Sequence, residues 1–258
     1  MIDSLRDLLV VSDMDNTLLT AKEGVPACNR ATIELFRALG GRFTVATGRP
    51  PASIRAALGG TRLSCPAIAC GGSVLYDLEA DRALEKSFLP LAAAREAVTA
   101  VMEQFPDMGV DVMVEEGRVY VVQANRYTQA HLRDEEIGCI MCPLEQVPCN
   151  WAKVMFAADP IAILNLQKFA RGLHFDGMYF LPTNTIYFEI MPTGVSKAQA
   201  LRRLCARRLG LYWSSSMAAS TLSCTLSDTK RVLFSTWDTV VTDTSASSAM
   251  SLSVLMLL

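Results

Sequence analysis

Apolar residues follow two rhythms along the first ninety positions of this chain. Short unbroken runs, in LLVVS from Leu8, FTVA from Phe43 and PAIAC from Pro66, read as strands buried on both faces of a sheet. Between them ATIELFRALG and PASIRAAL carry apolar residues at helical spacing. Asn29 is placed to cap the first helix and Gly40-Gly41 to end it, while Pro51 sits where a proline best starts the second. Strands alternating with helices predict an α/β fold built on a right-handed, mostly parallel, doubly wound sheet. SVLYDLEADRALEKSF adds a hairpin.

From about Phe88 the rhythm changes. LAAAREAVTAVMEQF predicts a helix, and VDVMVEE with RVYVVQ predicts a hairpin around Gly117. KVMFAAD, PIAILNLQKFARGL, MYFLP and TIYFEIMP continue with strand and helix signals. This block, residues 87–187, reads as an α+β module inserted into the parent domain. The parent then occupies 1–86 and resumes over 188–210 with the helix SKAQALRRLCARRLG. Residues 211–258 form a tail rich in Ser and Thr, without clear helical periodicity, in place of the expected end of the core. No internal repeat stands out.

Hydrophobic residues make up 51% of 258, enough for a sizeable core, and a net charge of -2 leaves no basic footprint for nucleic acid. The N-terminus carries acids where a signal peptide carries bases, and no apolar run reaches the ~18 residues a membrane span needs. The eight cysteines then read as reduced thiols of a cytoplasmic protein. Cys139 and Cys142 with Cys149 lack a fourth ligand at zinc-site spacing, so they read as small apolar core residues. His174, flanked by Leu173 and Phe175, reads as structural.

Candidate chemistry starts at the end of the first strand. Asp13 and Asp15 stand one residue apart against an apolar run, where carboxylates are costly unless paired, hydrogen-bonded or bound to a cation. Mg²⁺ suits such a place, because it takes one or two carboxylates plus phosphate oxygens and water. Thr47-Gly48-Arg49 follows the second strand, and ligands of doubly wound sheets sit beyond strand carboxyl ends. Gly194-Val195-Ser196-Lys197 puts a lysine at a helix start that Ser196 can cap, where amides and the dipole favour an anion. Singly these are a solvated loop, a turn and a solvated helix end. Together they supply a metal, a nucleophile, an acid/base and cationic donors, which is what phosphoryl transfer requires.

In that order DMDNTLL, ATGRP and GVSKAQAL resemble the first three signature motifs of the haloacid dehalogenase-like (HAD) superfamily. The details, YFEIMPTGVSKAQAL above all, are similar to its Cof-type phosphatases over roughly residues 8–210. The resemblance implies a Rossmann-like core with an inserted α/β cap that closes over the substrate. It implies an Mg²⁺-dependent phosphatase acting on small phosphorylated metabolites, sugar phosphates or a phosphorylated cofactor precursor. Asp13 would be the nucleophile and Asp15 the acid/base, both serving the metal, with Thr17 steadying their loop. Thr47, Gly48 and Lys197 would hold phosphate, and Arg49, Gly71 and Gly72 would lie on the substrate side. Asn16 stands where glycine is usual, and Cys70 where asparagine often is. A monomer or weak dimer is expected. The alternatives are a sugar phosphomutase and a degenerate or truncated member that binds phosphorylated ligands without turnover.

The family's fourth motif, an acidic loop completing the metal site, should fall near 217–225. No Asp or Glu occurs between Glu189 and Asp228, and Asp228, Asp238 and Asp243 lack its setting. A shift of reading frame near residue 211 accounts for the tail most simply. The expectation is a chain whose Mg²⁺ site is weakened, whose last core strands are lost, and which is a poor phosphatase of marginal stability.

Overall fold

The structure, a computed structural model, describes residues 5–20, 24–115, 117–209, 224–225 and 231–235. The elements up to the insertion are β1 (Leu8–Ser12), α1 (Ala27–Ala38), β2 (Arg42–Val45), α2 (Pro51–Leu58), β3 (Ala67–Ala69), β4 (Val74–Asp77) and β5 (Arg82–Lys86). Then come α3 (Leu91–Gln104), β6 (Gly109–Val114), β7 (Val119–Gln123), α4 (Arg126–Asp134), β8 (Cys139–Met141) and β9 (Trp151–Ala157). The last are α5 (Pro160–Ala170), β10 (Met178–Pro182), β11 (Tyr187–Pro192), α6 (Lys197–Leu209), β12 (Cys224–Thr225) and β13 (Arg231–Ser235). The chain divides into two units. The second takes 49–54 and 85–195, and the first takes the described residues of 1–48, 55–84 and 196–258.

In the first unit β1 pairs in parallel with β2 on one side and β13 on the other, giving the order β12-β13-β1-β2. A single parallel bridge, Ala46 to Ile68, hands the sheet on to β3, which with β4 and β5 forms a three-stranded extension. Leu9, Val11, Ala46, Ile68 and Leu75 bury one face under Ala200, Leu201, Leu204 and Cys205 of α6. Those four helix positions lie on one stripe, which is why α6 packs by that side. Two expectations change here. Helix α1 starts at Ala27, with Pro26 ahead of it and no side-chain cap, so Asn29 lies inside the first turn. The sheet also keeps a strand beyond β1: the backbone of Arg231–Ser235 supplies it, so the tail is not empty of core structure. The apolar triplet Val232-Leu233-Phe234 was its only signal.

The second unit is a six-stranded sheet, order β10-β11-β9-β6-β7-β8, antiparallel except for β7–β8. Val110, Val112, Val154, Phe156, Phe188 and Ile190 alternate onto one face and are covered by α3 and α5. Ala94, Ala97, Val98 and Val101 recur at three- and four-residue spacing, so α3 presents one apolar stripe to that core. β11 pairs with both β9 and β10, so residues 188–192, assigned above to the core, belong to this sheet, and the unit runs on to Val195. Helix α4 and edge strand β8 were not foreseen. A reciprocal cap starts α4: Asn125 accepts from the Thr128 amide, and the Thr128 hydroxyl accepts from the Asn125 amide. That is Asn-x-x-Thr rather than the familiar Ser/Thr-x-x-Glu pattern. Cys139 and Cys149 are exposed, so these two thiols are not core residues, while half-buried Cys142 packs against the core's margin; β8, at the sheet's edge, has all three residues exposed. Among the described residues no helix is long and apolar enough to cross a membrane.

The other face of this sheet is polar yet buried. Lys153 donates to Glu189 at 2.6 Å, while both carboxylate oxygens of Asp111 are buried without a hydrogen-bond partner. Burial pushes the Asp111 carboxyl up to about 7, and the Lys153 ammonium pulls it partly back. An acid with a raised folded-state pKa costs no stability while both states are protonated. The cost grows as pH rises from its unfolded value toward 7 and is complete above that. Asp111→Asn should therefore stabilise the chain at pH 8 by on the order of 2 kcal/mol, a gain that disappears near pH 4. Urea unfolding at the two pH values checks this; equal effects at both would contradict it.

Candidate active site

The site assembles where β1 ends. Asp13 continues the strand with φ -68° and ψ 162°, and its Oδ1 accepts from the Met14 amide at 2.8 Å. Met14–Leu18 forms one wide turn, closed by the Leu19 amide on the Met14 carbonyl. Asn16 sits in that turn at φ 56°, in the left-handed region. Asparagine tolerates this region better than other side chains with a Cβ, so the departure from glycine keeps the turn. Thr17 differs from expectation: its hydroxyl is buried and has no hydrogen-bond partner, so it does not tie the loop.

Neighbouring strands bring in the second group. The Ala46 amide bonds the Ser12 carbonyl, and the Thr47 amide bonds the Ile68 carbonyl, so Thr47 lies beside the end of β1, wholly buried. The Thr47 carbonyl accepts from the Gly71 amide at 3.0 Å. Cys70 (φ 53°), Gly71 (φ 69°) and Gly72 (φ 107°) then turn the chain against the start of α6.

Gly72 fits there because it has no side chain. A Cβ would strike the Ser196 carbonyl and crowd the Lys197 amide, on a backbone angle that favours glycine. Arg203, which the sequence did not single out, donates to the Gly72 carbonyl at 3.2 Å and fixes this junction. Ser196 Oγ accepts from the Gln199 amide, capping α6 as the sequence indicated. Gly72→Ala should cost on the order of 2 kcal/mol and lower turnover with it, because Lys197 is displaced. Urea midpoints and turnover measured together test this; a variant as stable and active as the parent would contradict it.

Lys197 closes the arrangement. Its Nζ lies 3.1 Å from Asp13 Oδ2, across 184 positions of sequence. Asp13 is 4% exposed, so the carboxylate is held in place by an ammonium on one oxygen and an amide on the other. Of the predicted residues, the first unit thus joins Asp13, Thr47, Gly71, Gly72 and Lys197, with half-buried Asp15 two residues beyond Asp13 and half-buried Gly48 next to Thr47. Arg49 is buried in the second unit's set, bonding Ser53 Oγ at 2.9 Å and the Glu135 carbonyl at 3.4 Å.

Asp13 and Asp15 are hard oxygen donors at one strand end, one of them buried and oriented. That donor set fits Mg²⁺ bound through one or two carboxylates with phosphate oxygens and water completing its shell. Among the described residues no group of three or more His, Cys, Asp or Glu gathers to hold a metal alone. Asp228, Asp238 and Asp243 lie outside the described residues, as does most of the stretch 217–225.

Residues 10–218 match the family model of the haloacid dehalogenase-like hydrolases. Over 95 residues the chain is 30% identical to the pyridoxal phosphate phosphatase YbhA of Escherichia coli (strain K12), covering 37% of this chain but only 35% of that protein. Over 218 residues it is 26% identical to M6_Spy0533 of Streptococcus pyogenes serotype M6, named as a phosphatase, covering 81% of this chain and 79% of the other. Its fold is similar to that of a haloacid dehalogenase-like hydrolase from Bacteroides thetaiotaomicron, with TM-score 0.68, 17% identity, and 77% and 76% of the two chains covered.

Proposed function

The chain belongs to the haloacid dehalogenase-like hydrolases, and from that premise we propose that it hydrolyses phosphoric monoesters of small metabolites through an aspartyl-phosphate on Asp13. One observation carries this reading: a buried carboxylate ordered by the Met14 amide and the Lys197 ammonium. A carboxylate fixed in this way loses little freedom on reaching phosphorus, and the ammonium beside it stabilises charge on the transferring group.

An oxygen of Asp13 attacks phosphorus, and the bond from phosphorus to the ester oxygen breaks. Asp15 gives its proton to the departing alkoxide. Asp15 then takes a proton from water, whose oxygen attacks the aspartyl-phosphate, releasing inorganic phosphate and restoring Asp13. Lys197 and the Thr47 hydroxyl donate to phosphate oxygens. The Asp13 carboxylate and the Asp15 carbonyl would hold Mg²⁺, which would supply charge neutralisation at the phosphate. Sugar phosphates and phosphorylated cofactor precursors are the substrate classes proposed, and the Escherichia coli relative, a pyridoxal phosphate phosphatase, favours the second.

Turnover of p-nitrophenyl phosphate tests the reading. Release of p-nitrophenol should require Mg²⁺, stop with EDTA and return on adding Mg²⁺. With one carboxylate and one carbonyl identified for the metal, half-saturation is expected at roughly millimolar Mg²⁺. No Mg²⁺-dependent turnover of any phosphate ester would leave a non-catalytic binder as the better account.

A further inference from the structure

The sheet of the second unit has two edges, and they differ. Strand β10 closes one side and ends at Pro182, which has no amide to offer; only that proline is exposed. Strand β8 closes the other side with all three residues exposed, Ile140 at 45% and Met141 at 68%. Among the described residues no strand lies beyond it. Edge strands are commonly guarded by a lysine, a proline or a bulge, and Cys139-Ile140-Met141 has none of these.

The ladder to β7 fixes which backbone groups are left over. In a parallel pair, alternate residues turn both amide and carbonyl toward the neighbour. The Cys142 amide donates to the Val121 carbonyl, so Ile140, two residues earlier and opposite Tyr120, also faces β7. Cys139 and Met141 therefore present their amides and carbonyls outward. An antiparallel partner needs that spacing, because its hydrogen-bonded pairs recur at every second position.

A second copy of β8 meets this requirement without adjustment. A two-fold axis at Ile140 sets Cys139 against the copy's Met141, and Met141 against the copy's Cys139, each pair exchanging both bonds. Ile140 then faces itself across the axis as the closer, non-hydrogen-bonded pair, where a β-branched apolar residue suits. Any charge at position 140 would meet its own like and oppose pairing. Residues 137–144 carry no charge, and the nearest acids, Glu136 and Glu145, lie beyond the strand.

We propose that β8 is the edge through which two copies of this chain pair, joining their six-stranded sheets about a two-fold axis at Ile140. The contact is isologous, so association stops at the dimer. It is also short, so the dimer is weak, with half-association expected at roughly 10–100 µM.

Sedimentation equilibrium of the full chain measures this, in reducing buffer so that exposed Cys139 cannot link copies by a disulfide. Ile140→Lys sets two ammonium groups side by side, and Met141→Pro removes only an outward amide, a loss an edge strand tolerates. Each should weaken dimerisation on the order of tenfold or more, whereas Ile140→Val should change it by less than about threefold. Hydrogen exchange of the unmodified chain gives a second reading. The Cys139 and Met141 amides should slow as concentration enters the dimer range, and the Ile140 amide, already bonded to β7, should not. A chain still monomeric at about ten times that range overturns the proposal and leaves the edge to an extended segment of another protein. Association that neither variant weakens, with exchange at Cys139 and Met141 unchanged, also overturns it, since the copies would then meet elsewhere.

Discussion

Asp13→Asn should abolish phosphate release while leaving the fold nearly intact. The substitution keeps size and shape, and the side-chain oxygen can still accept from the Met14 amide, 2.8 Å away in the parent. What disappears is the anionic nucleophile and a metal ligand in one step. Removal of a nucleophile that forms a covalent intermediate costs on the order of 10⁴-fold or more in kcat. The lost pairing with Lys197 should cost little stability, because that ammonium can turn toward water. Turnover of p-nitrophenyl phosphate beside circular-dichroism melting checks both halves. Comparable turnover by variant and an active parent would exclude Asp13 as the nucleophile.

Lys197→Met should lose both activity and stability, and the two losses have separate causes. Methionine keeps the length of the side chain but removes the ammonium 3.1 Å from Asp13 Oδ2. Removing one donor to a developing charge costs on the order of 10²–10³ in rate. In the folded state the buried Asp13 carboxylate keeps the Met14 amide but loses its cation, a change that costs about 3 kcal/mol when a buried pair is broken. If that is the cause, Asp13→Asn in the same chain should restore most of the stability and none of the activity. Urea unfolding of the two single variants and the double variant measures the coupling. Additive losses would mean that the pair, though close, is not energetically linked.

Several elements were legible because their signal is local. LLVV and FTV announce strands through unbroken apolar runs, and Ala94, Ala97, Val98 and Val101 announce a helix through their spacing. Ser196 stands at a helix start and does cap it. Asn16 looked like a departure from a glycine position, and its φ of 56° shows that the turn asks for a left-handed residue, which asparagine supplies. Other elements were missed for equally physical reasons. Helix α4 has few apolar residues and a cap written Asn-x-x-Thr, so neither periodicity nor the usual capping pattern marked it. Strand β13 lies in a stretch crowded with Ser and Thr, and only its pairing with β1 makes it a strand. Thr17 was assigned by position in a motif, whereas its buried hydroxyl has no hydrogen-bond partner.

The sequence by itself determined the α/β class, the strand ends that carry Asp13 and Thr47, and the residue types required to handle a phosphate. Periodicity and motif spacing are properties of neighbours along the chain, so one sequence is enough to read them. Only the tertiary structure decided that Lys197 meets Asp13, that Gly72 and Arg203 hold the start of α6 in place, and that Asp111 is buried without a donor. In β6 the residues Val110, Asp111 and Val112 are all buried, and both faces of the strand are covered. Alternation therefore says which way each side chain points, but not what lies above it. Whether a carboxylate there is paired, solvated or left without a donor depends on strands and helices distant in sequence, whose side chains arrive only when the chain folds.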